Sequence, residues 1–570
     1  MTNAAPGPGQ WALDTGHFPR PATRFTAELF PEPSKKGFAD GTAPFGLLLD
    51  FLEWAFVEGW SYLSPRPVPA LRQAAPPTRS AWDDLVRSSP ELEARLAVSA
   101  RVFEDRAWRH DLALWDLELK PSLVAGHIRV QATDPAGLSD TALLAHLDQC
   151  RENLCTAIWA HHRFNVTPVL PVGELLARCR EWTDASAVDV LGLLRGAGPL
   201  AVGASDELAR AADAIRADTP SHAAVSSSAD AAEVLASLLV RPGSVGEAVS
   251  AYFDLVGNWS AGHGFDIDEP TLLEMPGLLV ESLRVAVAGD TRAEAGDDAV
   301  DRAAELRRAV PVANRTEFDD TLAEARLVHR LRDERALYCD VWANGLMRRA
   351  VVAAGSRLAE RGLIRAPVLL VEATYSEMRS LLLGDGGSSA VTAAAPALAD
   401  DLATRATCRG NADPATVAPV LGHSSRSPVP TDWLPPGAAR TERAFRTYLG
   451  AMDDDDDDDS SSESTVRGVP ASAGVFEGRA RIVHGADGIG SIRNGDVLVT
   501  EATSPAFNIV LPLIGAIVTD RGGMLSHAAI VAREYAIPAV VGTEVATRRI
   551  PDGARVRVDG GSGEAIVLPS

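Results

Sequence analysis

Thr519-Asp-Arg-Gly-Gly-Met-Leu-Ser-His527-Ala-Ala-Ile-Val-Ala-Arg-Glu534 puts one histidine directly behind a glycine turn and a serine. Ahead of it, Gly515-Ala-Ile-Val-Thr519 is a short β-branched run that reads as a buried strand. Asp520-Arg-Gly-Gly523 breaks that run, because adjacent glycines open backbone angles closed to other residues. Ser526 is the expected N-cap, and Ala528 to Glu534 combines helix formers with apolar residues at helical spacing. A ring nitrogen at such a helix start lies near unpaired backbone N–H groups and the positive end of the helix dipole, both of which favour a phosphate. Taken alone, the run fits a capped surface histidine as well as a phosphoryl-transfer site.

The blocks on either side separate these readings. The segment Thr519 to Thr543, which continues Tyr535-Ala-Ile-Pro-Ala-Val-Val-Gly-Thr543, closely resembles the phosphohistidine signature of the PEP-utilising enzymes. Val469-Pro-Ala-Ser-Ala-Gly474 and Gly478-Arg-Ala-Arg-Ile-Val483 resemble that family's opening strand. Asp496-Val-Leu-Val-Thr-Glu501 with Ser504-Pro505 resembles its second block, and Asp552-Gly553, Val556 to Gly560 and Gly563 its closing hairpin. The resemblance implies that His527 is the residue phosphorylated. It also implies a small β/β/α swivelling domain over 466–570, with Arg521, Gly522, Gly523 and Ser526 shaping the phosphate loop. Where the dikinases of the family carry a regulatory threonine two residues before the histidine, this chain has Leu525, so control at that position is not expected.

The chain has 570 residues, enough for several domains, and a formal net charge of -23. That charge argues against a general affinity for nucleic acid or anionic membrane. No apolar run is long enough to span a bilayer, and the first residues lack a basic-then-apolar signal pattern. The five cysteines (Cys150, Cys155, Cys179, Cys339 and Cys408) have no metal-ligand spacing, so reduced thiols, no bound metal and a cytoplasmic location are expected.

Residues 452–465 contain an unbroken aspartate run, Asp453 to Asp459, followed by a serine-rich stretch. Like charges repel and such a segment buries no apolar area, so a mobile linker with a reach of roughly 45 Å is predicted. Residues 1–451 read as a large, mostly α-helical domain: Leu143 to Trp159 and Asp340 to Ala354 repeat apolar residues three and four apart. Prolines crowd the first 80 residues, which are therefore expected to form loops and short helices. The overall expectation is a multidomain chain, with a helical acceptor domain joined to a C-terminal phosphohistidine domain.

Patches of the helical part also carry a resemblance. Trp11-Ala-Leu-Asp-Thr-Gly-His17-Phe-Pro-Arg-Pro21 is similar to the opening of the acceptor-binding domain in rifampin phosphotransferase-like proteins. Gly262-His-Gly-Phe-Asp-Ile-Asp-Glu-Pro to Pro276 resembles a central block of that domain. Arg361-Gly-Leu-Ile with Val368 to Thr374 resembles another, in which a short strand follows a long helix. His263, Asp266 and Asp268 are the resulting candidates for a base at the acceptor hydroxyl, with a glycine-rich capped turn as the structural alternative. The rifampin enzymes place an Arg and a Glu ahead of the Asp-Ile of the central block. Here Ser260 to Gly264 occupy that stretch, which argues against a rifamycin-like acceptor. His17 is read equally as loop packing or as pocket lining. His161-His162 is read as one buried and one exposed residue, and Arg533 as facing solvent or an acid in preference to the phosphate.

No nucleotide-binding glycine loop precedes the acceptor block, and no PEP/pyruvate barrel follows the signature. The resemblance then implies a divided enzyme like phenylphosphate synthase, in which a separate ATP-grasp subunit binds ATP and Mg²⁺ and phosphorylates His527. His527 would pass the phosphoryl group to a small hydroxyl-bearing, phenol- or cresol-like acceptor. The alternatives are a component of a rifamycin-like antibiotic phosphotransferase and a non-catalytic phosphohistidine carrier.

Overall fold

The computed structural model describes residues 4–72, 78–197, 205–227, 229–262, 264–288, 296–383, 389–423, 428–451, 465–484, 486–503, 507–508 and 510–569. The chain packs as two compact units. One comprises Met1–Leu170, His263–Glu269 and Glu334–Arg443; the other comprises Pro171–Gly262, Pro270–Asp333 and Ala444–Ser570. The aspartate run predicted as a linker lies outside the described residues, as does His263.

The first unit is mainly helical, yet its proline-rich beginning is not the set of loops and short helices that the sequence predicts. It contributes three strands of a four-stranded antiparallel sheet: β1 (Gln10–Leu13), β2 (Leu49–Val57) and β3 (Trp60–Pro67), with β4 (Val420–Gly422) closing the order β2-β3-β1-β4. The physical reason lies in Phe51 to Val57, where aromatic and β-branched residues suit a pleated surface. A two-residue turn, Glu58 at φ 54° and Gly59 at φ 86°, then sets Val57 opposite Trp60. Pro65 and Pro67 lie at the far end of the hairpin, where they interrupt little of the ladder.

Helices pack behind this sheet. Pro31–Thr42 lies so close to Asp140–Arg163 that a Cβ on Gly37 would stand 2.4 Å from the Trp159 carbonyl oxygen. Arg163 reaches from that contact to grip buried Asp111 through two hydrogen bonds of 2.8 Å, and Thr167 Oγ1 donates a third of 2.8 Å. A charge-assisted bidentate pair of this kind satisfies both buried ions. The helix Trp342–Glu360 is entered through a π-helical turn, Ala336–Val341, a widening that recurs at functional sites. The short strand expected after this helix is instead a 3₁₀ helix, Pro367–Glu372. Its start presses on Gly355, where a Cβ would meet the Pro367 carbonyl oxygen at 2.1 Å, and proline withholds the N–H that a ladder needs.

The second unit contains a helical bundle and an eight-stranded sheet. The bundle includes Ser205–Ala217, Ala231–Leu239, Ser244–Val256 and Pro276–Ala288. The sheet comprises β5 (Thr465–Arg467), β6 (Val469–Ser472), β7 (Val475–Val483), β8 (Asp496–Thr500), β9 (Ile514–Thr519), β10 (Ala539–Val541), β11 (Arg555–Asp559) and β12 (Glu564–Val567). Its order is β5-β12-β11-β7-β8-β9-β10-β6, with β7, β8, β9 and β10 parallel. Every residue of β8 and β9 is buried, as parallel strands covered on both faces require. Gly515 at the start of β9 makes room for the Phe476 ring, whose nearest carbons would stand 2.1 Å from a Cβ there.

Candidate functional site

The parallel pairing of β8 with β9 builds the histidine site. Thr500 and Thr519 are register partners, so the segments following both strands leave the sheet at one edge. In open α/β sheets that carboxyl edge is where ligands bind. After β9 the chain turns at Gly522, φ 112°, where a Cβ would stand 2.8 Å from Ser526 Cβ and Oγ. Asp520 secures the turn by accepting from the Thr547 backbone N–H at 3.0 Å and from the Thr547 hydroxyl. Arg521 is tied through its backbone, the amide donating to Glu501 O at 2.9 Å and the carbonyl accepting from Thr519 Oγ1 at 2.7 Å. Ser526 then caps the helix His527–Glu534, its Oγ accepting from Ala529 N at 3.3 Å. Buried Met524 and Leu525 anchor the loop from below.

His527, half-buried, is the first residue of that helix. Its Nδ1 lies 2.8 Å from Thr503 Oγ1, a buried hydroxyl on the segment following β8. Sequence reasoning passed over Thr503 although it sits between Glu501 and Ser504, in a block already recognised. Only the in-register parallel pairing brings it, 24 residues away, to the imidazole. Ser504 and Pro505 lie outside the described residues.

In the first unit, the structure gives Asp266 and Asp268 well-defined partners. Asp266 is buried, with Oδ2 accepting from Thr23 N at 2.7 Å and Oδ1 accepting from Thr23 Oγ1 at 2.6 Å, Thr26 Oγ1 at 2.7 Å and Ile267 N at 2.7 Å. Burial pushes this carboxyl up to about 7, helped by the charge of Asp268 and opposed by the Thr23 and Thr26 hydrogen bonds. Asp268 pairs with Arg20 at 2.8 Å and with Arg409, which also holds Glu372 at 2.6 Å. Arg348 adds hydrogen bonds of 3.0 and 2.9 Å to the carbonyls of Ile267 and Asp268. Both carboxylates therefore pin the segment 264–269 to the Thr23–Thr26 helix start and to an arginine pair. The pinned segment presents the half-buried ring of Phe265.

The loop that carries His527 lies within a stretch matched by a known family. Residues 492–563 match the family described as PEP-utilising enzyme, mobile domain. That stretch is similar to the mobile domain of the PEP-utilising enzymes. A phosphoenolpyruvate synthase of Aeropyrum pernix is 51% identical over 102 residues, 18% of this chain and 12% of that protein. A rifampicin phosphotransferase of Bacillus cereus is 46% identical over 101 residues, 18% and 12% of the two chains. An uncharacterised phosphotransferase of Bacillus subtilis is 45% identical over 106 residues, 19% and 13%. The chain thus spans roughly an eighth of the length of these three relatives. Among the described residues, no group of three or more His, Cys, Asp or Glu side chains is placed to hold a metal ion, and no helix is long and apolar enough to cross a membrane.

Two charged residues at the far end of the mobile domain's histidine helix differ from expectation. Arg533 does not face solvent: it is buried, donates to Ala471 O of β6 at 2.9 Å, and its charge interacts with that of Glu534. Burial, then the charge of Arg332, lowers it to about 10. Glu534 accepts at Oε2 from Gly196 N at 2.8 Å, and its carbonyl accepts from Arg195 Nε at 3.1 Å. Burial and the charge of Asp333 push this carboxyl up to about 7, against Gly196, Arg195 and Arg533. A carboxyl raised in the folded state above its free value of 4.5 contributes stability that is complete below 4.5 and lost as pH rises to about 7. Amide exchange at residues 192–197 is therefore expected to lose protection, relative to Glu534→Gln, as pH rises from 5 to 8. A profile parallel to that of Glu534→Gln would refute this.

Proposed function

We propose that this chain is a phosphotransferase component in which His527 receives a phosphoryl group from ATP and passes it to the hydroxyl of a small acceptor. The observation that carries this reading is the Thr503–His527 contact of 2.8 Å at a serine-capped helix start within the mobile domain. With Nδ1–H donated to Thr503, the ring's basic lone pair lies on Nε2, which becomes the nucleophile and later the leaving group. By accepting from Nδ1–H, the hydroxyl keeps that proton on the ring, so the imidazole departs neutral when the N–P bond breaks and its electron pair stays on Nε2. The helix N-terminus favours the phosphate's charge while it is carried.

ATP and Mg²⁺ would be bound by a separate ATP-grasp subunit, and transfer would run in two half-reactions with phospho-His527 between them. The acceptor is proposed to be phenolic, because a phenol with pKa near ~10 surrenders its proton more readily than an alcohol. The second reading is an antibiotic-directed component. It draws on the likeness to rifampicin phosphotransferase, which covers 18% of this chain and 12% of that protein. The test combines the full chain with candidate ATP-grasp subunits, labelled ATP and Mg²⁺, followed by discharge onto phenol, p-cresol or rifampicin. Transfer to the phenols favours the first reading, transfer to rifampicin the second, and retention of label with every small acceptor a carrier role. In the same assay Thr503→Val is expected to slow loading about tenfold, roughly the worth of one hydrogen bond. An unchanged rate would remove Thr503 from the mechanism.

A further inference from the structure

The end of the histidine helix remote from His527 carries a buried cation with an unpaired terminal nitrogen. Arg533 is 7% exposed, and its Nη1 donates to Ala471 O at 2.9 Å. Its Nη2, also buried, has no hydrogen-bond partner among the described residues. Buried polar atoms are almost always paired, and a buried charge left without compensation costs far more than a neutral group. Among the described residues, the carboxyl that acts on this guanidinium is that of Glu534, whose Oε2 already accepts from the Gly196 N–H at 2.8 Å.

The surroundings add positive charge. Helix Arg315–Arg335 spaces Arg326, His329 and Arg332 three residues apart, so His329 neighbours both arginines on the helix surface. Arg332 Nη1 donates at 3.1 Å to Tyr448 Oη, on helix Pro436–Gly450. Arg326 donates to the carbonyls of Leu193 and Arg195 at 2.9 and 3.3 Å, and Arg195 Nε donates to the Glu534 carbonyl at 3.1 Å. His329 and Tyr448 are buried, whereas Arg326 and Arg332 are half-buried and leave an approach on their side. Burial, then the charges of Arg533, Arg332 and Arg326, lowers His329 to about 3, so its ring is neutral. No carboxylate among the described residues offsets the three arginines there.

We infer that Arg533, Arg332, His329 and Tyr448 form a binding site for a phosphate group, a single tetrahedral oxyanion held at the end of the helix remote from His527. Guanidinium forks match the oxygens of a phosphate, and the neutral imidazole offers one N–H. Tyr448 has an O–H to donate beside the bond that it accepts from Arg332. Arg326 contributes charge from one helical turn before His329. By bridging Arg533 and Arg332, the anion ties the mobile domain's helix to helix Arg315–Arg335. The site is distinct from the proposed carrier position, since His527 and Arg533 stand roughly 9 Å apart along the helix axis. Binding here makes and breaks no covalent bond.

The test is calorimetric titration of the full chain with inorganic phosphate and, separately, with AMP, in chloride buffer of constant ionic strength near neutral pH. The wild-type chain is expected to show saturable binding. Tighter binding of inorganic phosphate identifies the free anion as the ligand, and tighter binding of AMP a phosphate monoester. Arg533→Met keeps the apolar stem and should weaken binding at least about tenfold, the scale of one hydrogen bond to a charged group. Arg332→Gln should weaken it about tenfold as well. An arginine with a purely structural role would change stability yet leave the melting temperature dependent on phosphate; in Arg533→Met that dependence should vanish. If Arg533→Met does not fold, Arg332→Gln, at a half-buried position, decides the matter. A wild-type chain that takes up neither ligand overturns the site. So does undiminished binding in either folded variant, which would put the anion elsewhere, such as at the start of the histidine helix.

Discussion

His527→Ala is expected to abolish acid-labile phosphate on this chain when it is incubated with an ATP-grasp partner, labelled ATP and Mg²⁺. The effect should be total, because among the described residues no other histidine combines the elements that the proposed carrier role needs. Ser526 supplies the cap, the glycine turn brings the ring to the carboxyl edge of β8 and β9, and Thr503 holds Nδ1. Phosphoramidates hydrolyse in acid and survive base, so acid treatment of the labelled wild-type chain should release the label and alkali should not. Persistence of acid-labile label in His527→Ala would sink the central assignment outright. His527→Asn keeps a side chain of similar polarity and should behave like the alanine variant, since an amide nitrogen is no nucleophile.

Asp266→Ala is expected to destabilise the first unit by about 3 kcal/mol, within the range for removing one partner from a buried charged network. Four donors converge on this carboxylate: the backbone N–H groups of Thr23 and Ile267 and the hydroxyls of Thr23 and Thr26. The alanine variant leaves the two amides buried without that partner, while the hydroxyls can turn elsewhere. Thermal or urea unfolding of the full chain should show one of its transitions lowered and any transition of the mobile domain retained. A variant that unfolds like wild type but cannot discharge phospho-His527 would instead make Asp266 the acceptor base. The two outcomes separate positioning from chemistry at the one candidate whose carboxyl burial raises to about 7.

The mobile domain was largely legible because its determinants are local. Gly515 to Thr519 reads as a strand and Ser526 as a cap, and both are observed. Thr503 was not legible, since its part in the site depends on β8 and β9 running parallel and in register, a pairing no single segment encodes. The β2–β3 hairpin was missed for a different reason. Flanking prolines suggested breaks, while the aromatic run Phe51 to Val57 and the Glu58-Gly59 turn carried the stronger signal. The 3₁₀ helix at Pro367–Glu372 was mistaken for a strand because a short apolar run has no periodicity to separate the two.

By itself the sequence determined the histidine-bearing loop, because a strand, a glycine turn and a capped helix are built from residues adjacent in the chain. It also determined a largely helical N-terminal part, since periodic apolar stripes are local as well. Only tertiary structure decided which polar residues meet. The pair Asp14–His17, His161, Phe265 and Asp340 come from four separate stretches of one unit, and nothing in any one stretch announces the others. Their convergence follows from packing: a glycine at positive φ admits one segment onto a π-turn, and buried carboxylates hold it there.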